Sequence, residues 1–150
     1  MFRRIVALVA LGLLSTPLWA ANCSTVVEAN DAMQFNVSSV NVPKTCKTFT
    51  VTLKHTGKLP RTAMGHDWVL TSAADEAGVV ADGIKAGLDN SYVKPADPRV
   101  VAHTKVIGGG ETASVSFKTS ALKPGTSYVF FCSFPGHSTL MHGTVALTGT

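Results

Sequence analysis

Charge is sparse in this 150-residue chain: Asp, Glu, Lys and Arg make up 15% of it, with 13 basic residues against 9 acidic. The basic residues form no run, and no aromatic side chains are interleaved among them, which removes a nucleic-acid groove from consideration. Long apolar runs are also missing. Ile5 to Leu14 is apolar except for one glycine, and ten residues fall short of the roughly 20 that a membrane-spanning helix needs. No membrane insertion is expected. There is no internal repeat and no low-complexity segment. Cysteine is limited to three residues, an odd number that cannot all pair within one molecule.

What stands at the N-terminus reads as an export signal over residues 1–20. Arg3 and Arg4 supply the positive start, the apolar decamer follows, and Pro17 with Ala20 and Ala21 marks a small-residue cleavage region. A cut after Ala20 leaves residues 21–150 as a single domain long enough for its own core. The signal carries off two of the 13 basic residues and no acidic one, so 11 remain against 9 and the formal charge falls from +4 to +2. General secretion is expected rather than folded export, because Phe2-Arg3-Arg4-Ile5-Val6 matches a twin-arginine signal weakly. Asn22 before Cys23 disfavours a lipid anchor there.

Cys23 and Cys46 lie in segments without other ligand-type residues, so they are expected to pair as a structural disulfide worth roughly 3 kcal/mol. Cys132, five residues before a histidine, is left as a thiolate candidate. Between these cysteines and beyond, short segments alternate with the period of half-buried strands. They include Phe35–Ser38, Val40–Pro43, Thr48–Lys54, Trp68–Leu70, Val100–Ile107, Ala113–Phe117, Tyr128–Cys132 and Gly143–Leu147. An all-β antiparallel sandwich follows. Ala73 to Leu88 breaks the pattern and reads as a short helical flap capped by Gly87. Leu122–Tyr128 has the form of a tyrosine corner.

The chemistry concentrates in Cys132-Ser133-Phe134-Pro135-Gly136-His137-Ser138-Thr139-Leu140-Met141. One loop thereby presents a thiolate, an imidazole and a thioether, with Pro135 and Gly136 making the turn. His66, at a strand start in the first half of the chain, is the best donor of a second imidazole. Two His and one Cys in a plane with a weak axial Met is the ligand set of an electron-transfer copper site, and thioether sulfur argues against zinc. Taken singly, Met141 would be core filler, His66 or His137 a hydrogen-bonded structural residue and Cys132 an inert buried thiol. Their conjunction reverses that reading. His55 and His103 lack such a conjunction, and His142 should point away from a metal if Met141 points toward it. A copper enzyme would need an open position or a second cluster of His ligands, which the chain does not offer. A copper carrier is the other rival, since soft ligands also hold Cu(I).

Several motifs make the chain similar to the azurins of the cupredoxin family, the type 1 blue copper proteins: Asn30–Phe35, Met64-Gly65-His66-Asp67-Trp68-Val69-Leu70, Leu88-Asp89, Val100–Lys105 and Tyr128–His137, with Cys-x4-His-x3-Met spacing. The resemblance implies an eight-stranded Greek-key β-sandwich and one type 1 copper, with the Gly65 carbonyl as a distant further contact. It also implies that the edge of His137 is the electron port, within an apolar patch to which Met33, Leu59, Met64, Phe134, Pro135 and Leu140 map. Function would be one-electron shuttling, without catalysis, between transient redox partners such as c-type cytochromes, dehydrogenases or reductases. A periplasmic location and a monomer are expected. One position departs from the family pattern: Asp67 stands where Asn is usual, and an ionised carboxylate has no N–H to donate.

Overall fold

The computed structural model describes residues 22–149; the expected export segment lies outside them. Alternating side chains build nine strand segments: β1 (Ser24–Asn30), β2 (Gln34–Phe35), β3 (Ser39–Pro43), β4 (Thr48–His55), β5 (Val69–Ser72), β6 (Val100–His103), β7 (Thr112–Lys118), β8 (Tyr128–Phe131) and β9 (His142–Thr148). They form two sheets, in the orders β2-β1-β4-β7 and β3-β9-β8-β5-β6. In β4 the inward Phe49, Val51, Leu53 and His55 are buried, while Thr50, Thr52 and Lys54 between them face outward. The core between the sheets is filled by these residues with Trp68, Leu70, Phe117 and Phe130.

Nine segments stand where eight strands are expected because Gln34–Pro43 changes sheets partway. The Asn36 amide donates to the Glu28 carbonyl on β1 at 2.9 Å, and two residues later the Ser38 carbonyl accepts from Thr144 on β9 at 3.0 Å. Counted as one crossing strand, β2 and β3 restore the expected number. The sandwich is also not wholly antiparallel, since β1 pairs with β4 and β3 with β9 in parallel. Both parallel contacts join strands that are not consecutive, as a Greek-key path requires.

The flap is α2 (Glu76–Ala86), following a single helical turn, α1 (Arg61–Met64), that Pro60 begins. Gly87 ends α2 at φ 75°, a conformation that favours glycine. Val79 packs with Val69, Val93 and Phe131, and Arg99 ties α2 to the next loop through Asp82 at 2.7 Å and Asp97 at 2.6 Å. The tyrosine corner forms as expected: Lys123 N donates to the Tyr128 hydroxyl at 2.9 Å. Cys23 and Cys46 are joined, with Cα atoms 5.6 Å apart. No helix among the described residues is long and apolar enough to cross a membrane.

Candidate metal centre

Two separate pieces of chain meet at one end of the sandwich. Gly65 and His66 follow α1, and His66 is fixed in place by a reciprocal bridge to Ile107, with N···O distances of 3.0 and 2.8 Å. A side chain on Gly65 would run into the Arg61 carbonyl at 2.4 Å and Val106 at 2.5 Å, so the close approach requires glycine. The second piece is the loop leaving β8. It closes on itself: His137 N donates to Phe134 O, Met141 N to His137 O, and Cys132 N to Met141 O, at 2.8–2.9 Å.

These constraints place Cys132 Sγ 3.8 Å from His66 Nδ1, 3.6 Å from His137 Nδ1 and 4.0 Å from the Gly65 carbonyl oxygen. All three side chains are buried, and their donor atoms lie within 4.8 Å of one another. Bonds of about 2.0 Å to imidazole and 2.3 Å to thiolate, opened by about 120°, separate N and S by about 3.7 Å. The donor triangle therefore fits a single soft ion. Met141 is fully buried in the same loop. His142, by contrast, is exposed, and so is His103, whose Nδ1 donates to the Thr104 carbonyl.

Hydrogen bonds select the ring atoms. His66 Nε2–H donates to Asn30 O at 2.9 Å, which leaves Nδ1 facing Cys132 with its lone pair. Behind it, the His55 ring stacks at 4.6 Å. His55 accepts the Gly57 amide at Nδ1 and donates from Nε2 to Met64 O, so it is a neutral structural residue. Burial lowers the pKa of His66 to about 4 and that of His137 below its usual value, which keeps both imidazoles unprotonated and able to bind metal at neutral pH. Burial also pushes the Cys132 thiol well up, with the Asp67 charge adding to it. A bound cation reverses that preference and makes the thiolate the stable form.

Asp67 is paired with the residue that follows Cys132. Its carboxylate accepts the Ser133 amide at 2.7 Å and the Ser133 hydroxyl at 2.5 Å. Since Asp67 follows His66 and Ser133 follows Cys132, this pair links the two pieces of the site. Sequence reasoning missed Ser133, as it missed the His55 stack and the Asn30 carbonyl; a hydroxyl beside Cys132 was the only local signal. It also missed Tyr92, whose ring meets Phe134 edge-on at 5.3 Å, while Phe134 lies 4.6 Å from the His137 ring. Of the residues expected to surround His137, Leu59, Pro135 and Leu140 are exposed and Met33, Met64 and Phe134 half-buried.

A two-sheet sandwich with a buried His, Cys, His donor set at one end is the build of a small copper protein. Residues 21–148 match the family described as copper binding proteins, plastocyanin/azurin family, and the chain belongs to it. It is 56% identical to an azurin of Pseudomonas aeruginosa over 147 residues, covering 98% of this chain and 99% of the relative. An azurin of Alcaligenes faecalis is 60% identical over 125 residues, 83% of this chain and 98% of that one. Among solved structures, an azurin from the obligate methylotroph Methylomonas sp. strain J superposes with a TM-score of 0.83 at 47% identity, covering 86% of this chain and all of the other.

Proposed function

We propose that this chain is a periplasmic, monomeric one-electron carrier, with residues 1–20 as its removable signal and 21–150 as its single domain. Copper would be held by His66 Nδ1, Cys132 Sγ and His137 Nδ1, with the Met141 thioether and the Gly65 carbonyl as weaker contacts. The observation that carries the reading is the buried triangle of two imidazole nitrogens and one thiol sulfur, spaced for a single ion. When bound, copper supplies a reversible Cu(I)/Cu(II) couple.

The chain's own residues do the rest. The bridge to Ile107 and the closed Cys132–Met141 loop hold the donors nearly fixed, which keeps reorganisation small as charge arrives and leaves. Burial of the donor side chains would keep water and substrate away from the ion. His137 is 4% exposed, and its edge would open onto a patch of Met33, Leu59, Met64, Phe134, Pro135 and Leu140. A small apolar face suits brief encounters with c-type cytochromes, dehydrogenases or reductases, which bury little area and separate quickly. The copper-binding family and the azurin relatives support electron transfer rather than enzymatic turnover. Redox titration of the loaded protein should show one copper and one reversible electron per chain. Sustained turnover of nitrite or oxygen would contradict the reading.

A further inference from the structure

The lysines that look scattered in sequence are gathered by the fold at the end opposite the metal centre. Lys44 and Lys47 lie just before β4, Lys118 ends β7 opposite Thr48, and Lys123 stands in the tyrosine-corner loop. The Thr119 amide donates to the Lys47 carbonyl at 3.1 Å, and Lys44 and Lys123 border the same shallow depression with Pro124 and Leu147. All four are exposed, and none forms an ion pair with a described residue. Residues 44–48, 118–128 and 145–149, which form this end, contain no carboxylate side chain. Asp75, two residues past the Ala73 amide that donates to Ser127 O at 2.9 Å, is a single negative charge against these four positive ones, and it accepts from the Ser72 hydroxyl at 2.6 Å.

We infer that this lysine pole docks the protein on the surface of an anionic phospholipid bilayer, leaving the His137 face turned outward to its redox partners. The inference rests on the export reading, which places the chain in a compartment bounded by membranes. Screening at about 10 Å makes the local four charges matter more than the modest net charge. The form of the patch favours a lipid surface. Its charges sit on exposed side chains, with no buried convergent donors of the kind a small anion needs. Its position disfavours a redox partner. Strand β4 runs from the pole to His55, about 23 Å at about 3.3 Å per residue, before the His66 ring is reached. Electron tunnelling falls off exponentially with distance, so a partner bound here would exchange slowly. Docking at this end instead leaves the opposite face free.

The test is cosedimentation of the copper-loaded protein with phosphatidylcholine vesicles, alone or with about one third phosphatidylglycerol, at low salt and at about 0.5 M. The blue colour of each sample is recorded first, so a failed copper centre is recognised separately from failed docking. The protein should sediment with the anionic vesicles only, and salt should release it. Single Lys47→Ala or Lys118→Ala changes should each weaken partitioning about fivefold. A variant with Lys44, Lys47, Lys118 and Lys123 all changed to Glu should not sediment. The same charge change at Lys58, Arg61, Lys94 and Lys105 should leave sedimentation largely intact. Equal loss in the two quadruple variants, or equal binding of the unaltered protein to neutral vesicles, would overturn the inference. So would retention by soluble polyglutamate without retention on vesicles, which would assign the pole to an acidic protein.

Discussion

At the scale of residues, Asp67 shows how a departure from a family pattern can be absorbed locally. A carboxylate offers no N–H, and in the link between the two ligand segments Ser133 supplies both donors, its amide and its hydroxyl. Burial raises the Asp67 pKa to about 6 against the opposing pull of those bonds, so at neutral pH the group is mainly an anion. Negative charge next to the centre favours the more positive, oxidised copper. Asp67→Asn should therefore raise the reduction potential, by on the order of tens of mV; voltammetry at pH 7 checks this, and an unchanged or lower value would count against it. Cys132 and His137, which the fold brings together with His66, were legible in the sequence because one short loop carries both, and His66 followed from its place at a strand start. His55, Asn30 and Ser133 were not, since their roles are hydrogen bonds and ring contacts made between distant segments.

At the scale of elements, α2 is held by contacts that each permit a separate test. The carbonyl of Tyr92 lies 2.0 Å from where a side chain on Gly83 would begin. Gly83→Ala must push the helix or the loop aside, and a loss of about 1–3 kcal/mol is expected despite the gain in helix propensity. Denaturant unfolding measures it. The same helix is tied to its neighbouring loop by Arg99, whose hydrogen bonds hold the Asp97 pKa at about 2. The folded value lies below the ordinary carboxylate value of about 3.9, so the unfolded chain takes up the proton first. This contribution is complete above about pH 4 and fades as pH falls toward 2. Asp97→Asn should lower Tm at pH 7 and flatten its dependence on pH between 4 and 2. Strands such as β4 and β7 were readable from their alternation. The crossing from β2 to β3 was not, because a two-residue period does not say which sheet a strand joins. Strand β1 escaped notice too, since only Val27 and Ala29 of its residues are fully buried.

At the scale of the whole molecule, the two sheets close over Trp68, which is fully buried and stacks on Phe130 and Phe117 at 5.8 and 6.4 Å. Its indole N–H has no partner among the described residues. With neither water nor a hydrogen bond to relax the excited state, the emission should lie well to the blue of exposed tryptophan and move red on unfolding. The other tryptophan, Trp19, falls in the expected signal, so the exported protein should show this band alone. The same closure sets the poles of the molecule apart, with donors at one end and unpaired lysines at the other, an arrangement that chain order does not reveal. The account turns on the donor triangle at the first of those ends. Its most direct measurement is the visible spectrum after one equivalent of Cu(II) is added to the purified protein and to Cys132→Ser. An intense blue thiolate-to-copper band in the first and none in the second is predicted; a colourless protein, or a band that survives loss of the thiol, would contradict it.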